Sequence, residues 1–196
     1  MTAARWVLIV TVLALVAAAI VIHLRNAAPE TRETSIAERS TNMLTRAVQT
    51  GKVDTVVLGD SIAEMNNLDE LCGTTFNAGV GGAAIEDLRR VAPAVLRSTR
   101  PTHIVLAIGT NDVLLGGDHV RHFRANYAAL VDSLPVAPFA LVGVGQGDNQ
   151  FIQAEAEWIG AAYVPPIAKS MTYDGIHPTA AGLKLWRERV GAACPD

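Results

Sequence analysis

The sequence lacks the features by which several classes of protein are recognised. It has no run of five like charges, and a formal net charge of −3 leaves no basic stripe of the kind that binds nucleic acid. It has only two cysteines, Cys72 and Cys194, without the short paired spacing of a zinc site. No glycine-rich nucleotide fingerprint or phosphate-loop lysine follows an apolar run. These absences disfavour proteins that bind nucleic acid, structural zinc or nucleotides.

One long apolar stretch is present near the amino terminus. It extends from Trp6 to Ile22 without an acid or a base, close to the ~20 residues that a helix needs to cross a bilayer. A cleaved signal peptide is the alternative, because Arg5 precedes the stretch, but no convincing cleavage site follows before Pro29. The predicted organisation is a single-pass membrane anchor (or signal peptide) in residues 1–25, a juxtamembrane stalk and helix in 26–50, and one folded domain in 51–196.

Apolar runs and helical patterns alternate along the rest of the chain. Strands are predicted to begin near Val53, Thr74, His103, Phe139 and Tyr163. Helices are predicted between them, among others from Ser61 to about Leu71 and from Asp118 to Leu134. This alternation predicts a parallel sheet of about five strands with helices on both faces.

The two cysteines fit this arrangement. Cys72 precedes a predicted strand and Cys194 ends the last predicted helix, so both belong to the sheet edge where the strands begin. The short amino-terminal tail places the domain outside the cytoplasm, either anchored or secreted after signal cleavage. In an oxidising compartment the two cysteines can form one disulfide.

The strongest functional signal follows the first strand. The apolar run from Val53 ends at Gly59, and Asp60 and Ser61 follow it. They are therefore expected at the edge of the sheet where ligands bind in open parallel folds. Ser61 is therefore a candidate nucleophile. The alternative is structural, because Ser61 and Glu64 also have the spacing of a capping box at the start of a helix.

Residues suited to activating a serine follow later strands. A histidine can take the proton of a serine hydroxyl, and His177 stands three residues after Asp174, whose carboxylate can orient the imidazole. The alternative for Asp174 is a simple turn with the glycine that follows it. Because all these segments follow strands of one parallel sheet, we expect them to meet at one edge.

An ester-cleaving site also needs donors for an oxyanion. The glycines at positions 79, 81 and 82 permit close approach of a backbone amide, Asn111 carries a side-chain amide, and the Ser61 amide lies at a helix start. The alternatives are that Asn111 or Asp112 caps a helix and that the glycines suit a phosphate.

Four segments together resemble the sequence blocks of the SGNH, or GDSL, hydrolase family. They are Gly59-Asp60-Ser61, Asn77-Ala78-Gly79-Val80-Gly81-Gly82, Gly109-Thr110-Asn111-Asp112 and Asp174-Gly175-Ile176-His177-Pro178. The resemblance implies a three-layer flavodoxin-like sandwich with Ser61 as nucleophile, His177 as base and Asp174 as its partner. It implies an oxyanion hole of the Ser61 amide, Gly82 and Asn111, with Gly79 as the alternative to Gly82. It implies no metal and no organic cofactor.

The resemblance leaves the substrate open, and the sequence favours a short acyl group. Little chain lies between Asn111 and Asp174 beyond the predicted helices and strands, and the loops Leu115–Asp118 and Gly145–Gln150 are polar. We therefore expect a shallow pocket for acetyl esters of a polar or carbohydrate substrate. The alternatives are an O-acyltransferase with the same triad, a longer-chain lipase or thioesterase, and a non-enzymatic flavodoxin-like binding module, which the complete set of serine, histidine and aspartate disfavours.

Overall fold

The computed structural model describes residues 3–26 and 31–195. Positions 1, 2, 27–30 and 196, which belong to the predicted anchor, stalk and folded domain, lie outside the described residues. The chain forms two compact units, of which the first ends at Ser35 and the second begins at Ile36. The second unit therefore begins inside the helix that follows the predicted stalk.

The first unit contains helix α1 (Ala3–Asn26). Its described side chains, Trp6 and those of residues 9–21, are all exposed. Among the residues that the structure describes, no helix meets the length and hydropathy required to span a membrane. The membrane anchor predicted for residues 1–25 is not supported by this result.

The second unit alternates strands and helices, as the sequence predicts. Its elements in chain order are α2 (Arg32–Thr50, from Ile36 onward), β1 (Thr55–Gly59), α3 (Ser61–Glu64), β2 (Thr75–Gly79), α4 (Ile85–Thr99), β3 (His103–Ala107), α5 (Thr110–Leu115), α6 (Gly117–Arg121), α7 (Phe123–Ser133), β4 (Ala140–Val142), α8 (Asn149–Ile159), β5 (Ala162–Val164) and α9 (Ala180–Gly191).

The described strands form one sheet in the order β2-β1-β3-β4-β5, and every pair in it is parallel. Gly59 at the end of β1 pairs with Gly79 on one side and with Ala107 on the other. The carboxyl ends of β2, β1 and β3 are therefore level, so the loops that follow them start at the same edge.

Helices cover both faces of the sheet, and the alternation of side chains along β1 explains why. Val56 and Leu58 pack on one face with residues of α2, α4, α7 and α8, such as Met43 and Tyr127. Val57 packs on the other face with residues of α3 and α9, including Trp186. The predicted three-layer α/β sandwich is confirmed.

Two of the predicted helices have different bounds. Helix α3 ends at Glu64 rather than near Leu71, because the side chain of Asn67 accepts a hydrogen bond from the backbone of Asp69 at 3.0 Å and forms a local turn. The carbonyls of both residues also accept hydrogen bonds from Arg187.

The helix predicted from Asp118 to Leu134 is divided into α6 and α7 at His122. An unpredicted helix, α5, occupies the segment after β3.

Cys72 and Cys194 form a disulfide, with their Cα atoms 5.6 Å apart. Cys72 lies before β2 and Cys194 lies after α9. The hypothesis of a disulfide at the edge where the strands begin is confirmed.

Candidate active site

Ser61 is the first residue of α3, directly beyond the end of β1. The turn between the two elements is tight. A Cβ atom at Gly59 would lie 2.6 Å from the Cβ of Ala63 and 2.7 Å from the carbonyl oxygen of Ala107. Only glycine fits this position without displacing its neighbours, and its absence of a side chain allows α3 to start against the sheet.

The capping role considered for Ser61 is filled by its neighbour. The side chain of Asp60 accepts a hydrogen bond from the backbone of Ile62 at 3.0 Å, so Asp60 is the N-cap of α3. Glu64, the other half of the expected capping box, forms an ion pair with Arg39 at 3.2 Å. The capping-box interpretation of Ser61 and Glu64 is wrong, and the hydroxyl of Ser61 is directed elsewhere.

Asp60 is completely buried beneath this turn. Burial raises the pKa of Asp60 to about 6, although hydrogen bonds from Ile62 and Thr110 act in the opposite direction. The fold thus places a carboxyl group with a raised pKa directly beside the candidate nucleophile.

Ser61, His177 and Asp174 form one continuous hydrogen-bonded chain. The Oγ of Ser61 lies 3.1 Å from Nε2 of His177. The Nδ1 of His177 lies 2.6 Å from Oδ2 of Asp174. A carboxylate only accepts hydrogen bonds, so Nδ1 carries the proton and Nε2 is left to accept the proton of the serine hydroxyl. Three residues chosen from the sequence are therefore brought together in the geometry of an activated serine.

The carboxylate of Asp174 has a second set of partners that hold its orientation. Its Oδ1 accepts hydrogen bonds from the backbone N–H groups of Ile176 at 2.9 Å and of His177 at 2.7 Å. Hydrogen bonds from the side chain and backbone of His177 lower the pKa of Asp174 to about 2. The turn predicted at this segment is real, and it serves to aim the carboxylate at the imidazole.

Tyr173 was not singled out from the sequence, although it directly precedes Asp174. Its ring stacks on the imidazole of His177, with centroids 5.8 Å apart and planes inclined by 18°. The backbone N–H of Tyr173 also donates to the carbonyl of His177 at 3.0 Å. The tyrosine is largely exposed, so it forms a flat aromatic surface beside the candidate base.

Asn111 lies in the first turn of α5, after β3. Its Nδ2 donates a hydrogen bond to the carbonyl of Ala83 at 2.9 Å. This bond ties α5 to the loop after β2 and uses one of the two N–H bonds of the amide. Asn111 does not cap α5, whose N-cap is Gly109.

Asp112 has a structural role. It is buried and accepts a hydrogen bond from the backbone of Ile85, the first residue of α4, at 3.0 Å. Burial raises the pKa of this carboxyl. Asp112 lies inside α5 and is the N-cap of neither helix, so it ties α5 to the first turn of α4 instead of filling the expected capping role.

The loop after β2 distinguishes Gly79 from Gly82. The N–H of Gly79 donates to Oδ1 of Asn77 at 2.9 Å, so it is engaged inside the fold. Gly82 lies beyond the strand with a φ of +82°, a conformation that other residues rarely adopt. Of the two candidates for an oxyanion donor, the geometry therefore disfavours Gly79, and Gly82 stays a prediction from the sequence.

A pocket of about 250 Å³ opens beside these residues. It contacts the immediate neighbours of three predicted site residues: Ile62 next to Ser61, Thr110 next to Asn111, and Ile176 next to His177. The polar loop expected to rim it contributes Gly145 and Gln146. Much of the remaining wall is apolar, which the loop sequences did not indicate.

No group of three or more histidine, cysteine, aspartate or glutamate side chains is arranged to hold a metal ion in the part of the chain that the structure describes. The site is therefore described by its own side chains and backbone amides.

Comparison with known proteins yields structural likenesses only. No family model and no curated protein sequence matches the chain significantly. A lipase/acylhydrolase from Enterococcus faecalis superposes with a TM-score of 0.58 at 20% identity, over 72% of this chain and 94% of that one. A GDSL-like lipase from Bacteroides thetaiotaomicron superposes with a TM-score of 0.59 at 16% identity, over 79% of this chain and 96% of that one.

A third solved structure is a two-domain esterase active on acetylated mannans. It superposes with a TM-score of 0.55 at 20% identity, over 79% of this chain and 52% of that one. The chain thus has the fold of solved GDSL-type esterases and acylhydrolases. The fold that the SGNH resemblance implies is confirmed.

Proposed function

We propose that this chain is a serine ester hydrolase of the SGNH type, which forms an acyl-enzyme on Ser61. The observation that carries the proposal is the hydrogen-bonded chain from Ser61 Oγ through His177 to Asp174, with links of 3.1 and 2.6 Å. The fold shared with solved GDSL-type esterases supports it.

In the first half-reaction Ser61 Oγ attacks the ester carbonyl carbon while His177 Nε2 takes the hydroxyl proton. Asp174 stabilises the imidazolium that results. The tetrahedral intermediate then expels the alcohol, which receives the proton from His177, and leaves an ester of Ser61. In the second half-reaction water repeats the same steps and releases the acid and the free serine.

The negative charge on the carbonyl oxygen needs fixed donors. The proposed donors are the backbone amides of Ser61 and Gly82 and the second N–H of Asn111. The Ser61 amide lies at the start of α3, and the bond from Asn111 to Ala83 fixes the side-chain amide before the charge appears. Such fixed donors need little reorganisation during the reaction.

The sequence predicts an acetyl ester of a polar or carbohydrate substrate. One observation concerns the leaving group of that ester, and another concerns its acyl group. The solved neighbour described as active on acetylated mannans supports a carbohydrate ester, and the exposed ring of Tyr173 beside His177 offers a surface on which a sugar can stack. The apolar wall of the pocket instead favours the alternative of a longer acyl chain. The polar leaving group is the part that we retain in the proposal.

An O-acyltransferase would use the same residues and pass the acyl group to a sugar hydroxyl instead of water. The two activities are separated by supplying an acyl donor with and without candidate glycans and measuring acylated glycan against free acid. A non-enzymatic binding module would not require the triad geometry.

For localisation we propose that the domain acts outside the cytoplasm. The disulfide between Cys72 and Cys194 supports this, since such bonds persist mainly in oxidising compartments. Alkylation of free thiols in freshly lysed cells tests it, because both cysteines should resist the reagent until they are reduced. The membrane anchor itself stays a prediction from the sequence.

Kinetic analysis of p-nitrophenyl ester hydrolysis by the purified full chain tests the proposed function. Ser61→Ala and His177→Ala should each lower kcat/KM by a factor of about 10⁴ or more, and the double variant should be no worse, since the residues act as a unit. Ser98→Ala, on α4, is the matched control and should retain full activity. Substantial activity in Ser61→Ala would contradict the proposal.

A further inference from the structure

The pocket beside Ser61 has a largely apolar wall that the polar rim loops do not explain, although Thr110, Gln146, Lys169 and Thr172 also line it. Four elements or loops supply it, and its apolar side chains are Ile62, Val113, Leu114, Val144, Ile167 and Ile176. Of these side chains, Val144 and Ile167 are buried, whereas Leu114 is 51% exposed. An apolar concavity of this kind takes an apolar ligand, because burying hydrocarbon on such a surface is favourable.

Two residues of the wall are sequence neighbours of the reacting groups. Ile62 directly follows the nucleophile, and Ile176 directly precedes the base. Because consecutive Cα atoms are about 3.8 Å apart, the apolar wall lies close to the position of an acyl group attached to Ser61 Oγ.

The size of the pocket sets the size of its occupant. An apolar cavity of about 150 Å³ is large enough for benzene, whereas this pocket has about 250 Å³. An acetyl methyl group would leave most of the apolar wall in contact with water.

We infer that this pocket is the acyl subsite and that it takes a linear acyl chain of about six to ten carbons, since a cavity of ~150 Å³ is large enough for the six carbons of benzene. This inference rests on the proposed function. It replaces the acetyl group expected from the polar loops, because the wall comes largely from α3, α5 and the segment after β5 rather than from those loops.

The acyl group is a better occupant than the alcohol because it stays on Ser61 through both half-reactions. Contacts with the acyl chain act on acylation and on deacylation alike. The alcohol has to leave after the first step, and the open aromatic surface of Tyr173 lies beside the base that protonates it.

A series of p-nitrophenyl esters of the linear acids tests the inference on the purified full chain. We expect kcat/KM to rise about fourfold per methylene from acetate to hexanoate, to peak between hexanoate and decanoate, and to fall by palmitate, which exceeds the pocket. A maximum at acetate, or a rise that continues to palmitate, would overturn it.

A second series keeps the acetyl group and lengthens the alcohol from ethyl to hexyl acetate. We expect kcat/KM to change less than twofold across this series. A steep rise with the length of the alcohol would overturn the inference, because the pocket would then hold the leaving group.

Two adjacent exposed leucines of α5 provide matched variants. Leu114 lines the pocket, whereas Leu115, which is 42% exposed, does not. Leu114→Ser should lower the ratio of octanoate to acetate hydrolysis about fourfold, as for the loss of one buried methylene, while Leu115→Ser should leave the ratio unchanged. Equal ratios in the two variants would overturn the assignment of Leu114.

The failure of this inference is distinguishable from that of the proposed function. Hydrolysis that depends on Ser61 but is fastest with acetate overturns only the acyl subsite. Hydrolysis that persists in Ser61→Ala, or an absence of hydrolysis with every ester, overturns the proposed function and the inference together.

Discussion

At the residue scale, the raised pKa of the buried Asp60 predicts how the free energy of unfolding depends on pH. Its pKa is about 6 in the folded chain against an ordinary value of 3.8. Between these values the folded state keeps a proton that the unfolded state loses. The free energy of unfolding therefore falls as the pH rises from 3.8 to about 6 and is level above that, and the whole contribution is about 3 kcal/mol.

Urea unfolding of wild type and Asp60→Asn at several pH values between 4 and 7 measures this contribution. Asparagine keeps the acceptor for the backbone of Ile62, so the cap of α3 persists. The variant should lose about 2 kcal/mol less than wild type across this range, because part of the loss occurs below pH 4. The exposed Asp69→Asn serves as the control. If the free energy of unfolding changed with pH in the same way in wild type and Asp60→Asn, the folded chain would not hold a proton on Asp60 in this range.

The triad residues could be chosen from the sequence because each followed a strand of a parallel sheet and had the chemistry that an activated serine needs. The neighbours that support them could not be chosen in this way. Tyr173 contacts His177 through a ring stack that depends on the exact path of the turn. The choice between Gly79 and Gly82 depended on a hydrogen bond to Asn77 that no spacing rule indicates.

At the element scale, strands were predicted better than the short helices around the site. Strands are marked by apolar runs that are buried on both faces. The ends of α3 and α6 depend instead on local competition by side chains, as at Asn67, whose side chain forms a turn with the backbone. Helix α5 begins within the motif segment Gly109 to Asp112, whereas the sequence predicts the next helix only from about Asp118.

The same elements explain why the pocket wall is more apolar than the loop sequences indicate. The polar loops were correctly placed near the site, since Gly145 and Gln146 line the opening. The wall comes from apolar residues such as Ile62 and Val113, and a sequence pattern does not show which apolar side chains face a pocket and which face the core. Only the parallel order of the sheet brings them together.

At the scale of the whole molecule, the disulfide joins two segments that are 122 residues apart in the sequence. A chain-entropy model assigns a loop of this size ~4 to 5 kcal/mol of stabilisation. Cys72 and Cys194 lie at the edge where the strands begin, opposite to Ser61. The bond therefore supports the fold without touching the reacting groups.

We expect the double variant Cys72→Ser/Cys194→Ser to lose up to ~4 to 5 kcal/mol of unfolding free energy in urea. Its kcat/KM for ester hydrolysis should stay within about twofold of wild type under conditions where it is folded, because the triad geometry does not depend on the bond. Thiol alkylation without reductant provides the control, since wild type should not react. A large loss of activity in the folded variant would contradict the separation of the two edges.

The overall architecture was the most predictable level. Alternation of strands and helices indicates a parallel sheet covered on both faces, and the structure has that arrangement over its described second unit. The division near Ile36 was not predicted. The second unit begins there because Ile36, Met43 and Ala47 of α2 pack into its core. Helical spacing alone does not show what a helix packs against.

The central claim is that Ser61 is an activated nucleophile, and covalent labelling with a fluorophosphonate probe tests it most directly. Intact-mass measurement followed by peptide mapping of the full chain should find one adduct, located on Ser61. The adduct should be absent in Ser61→Ala and form far more slowly in His177→Ala, because His177 takes the proton of the hydroxyl. A chain that hydrolyses esters while Ser61 stays unlabelled would contradict the account.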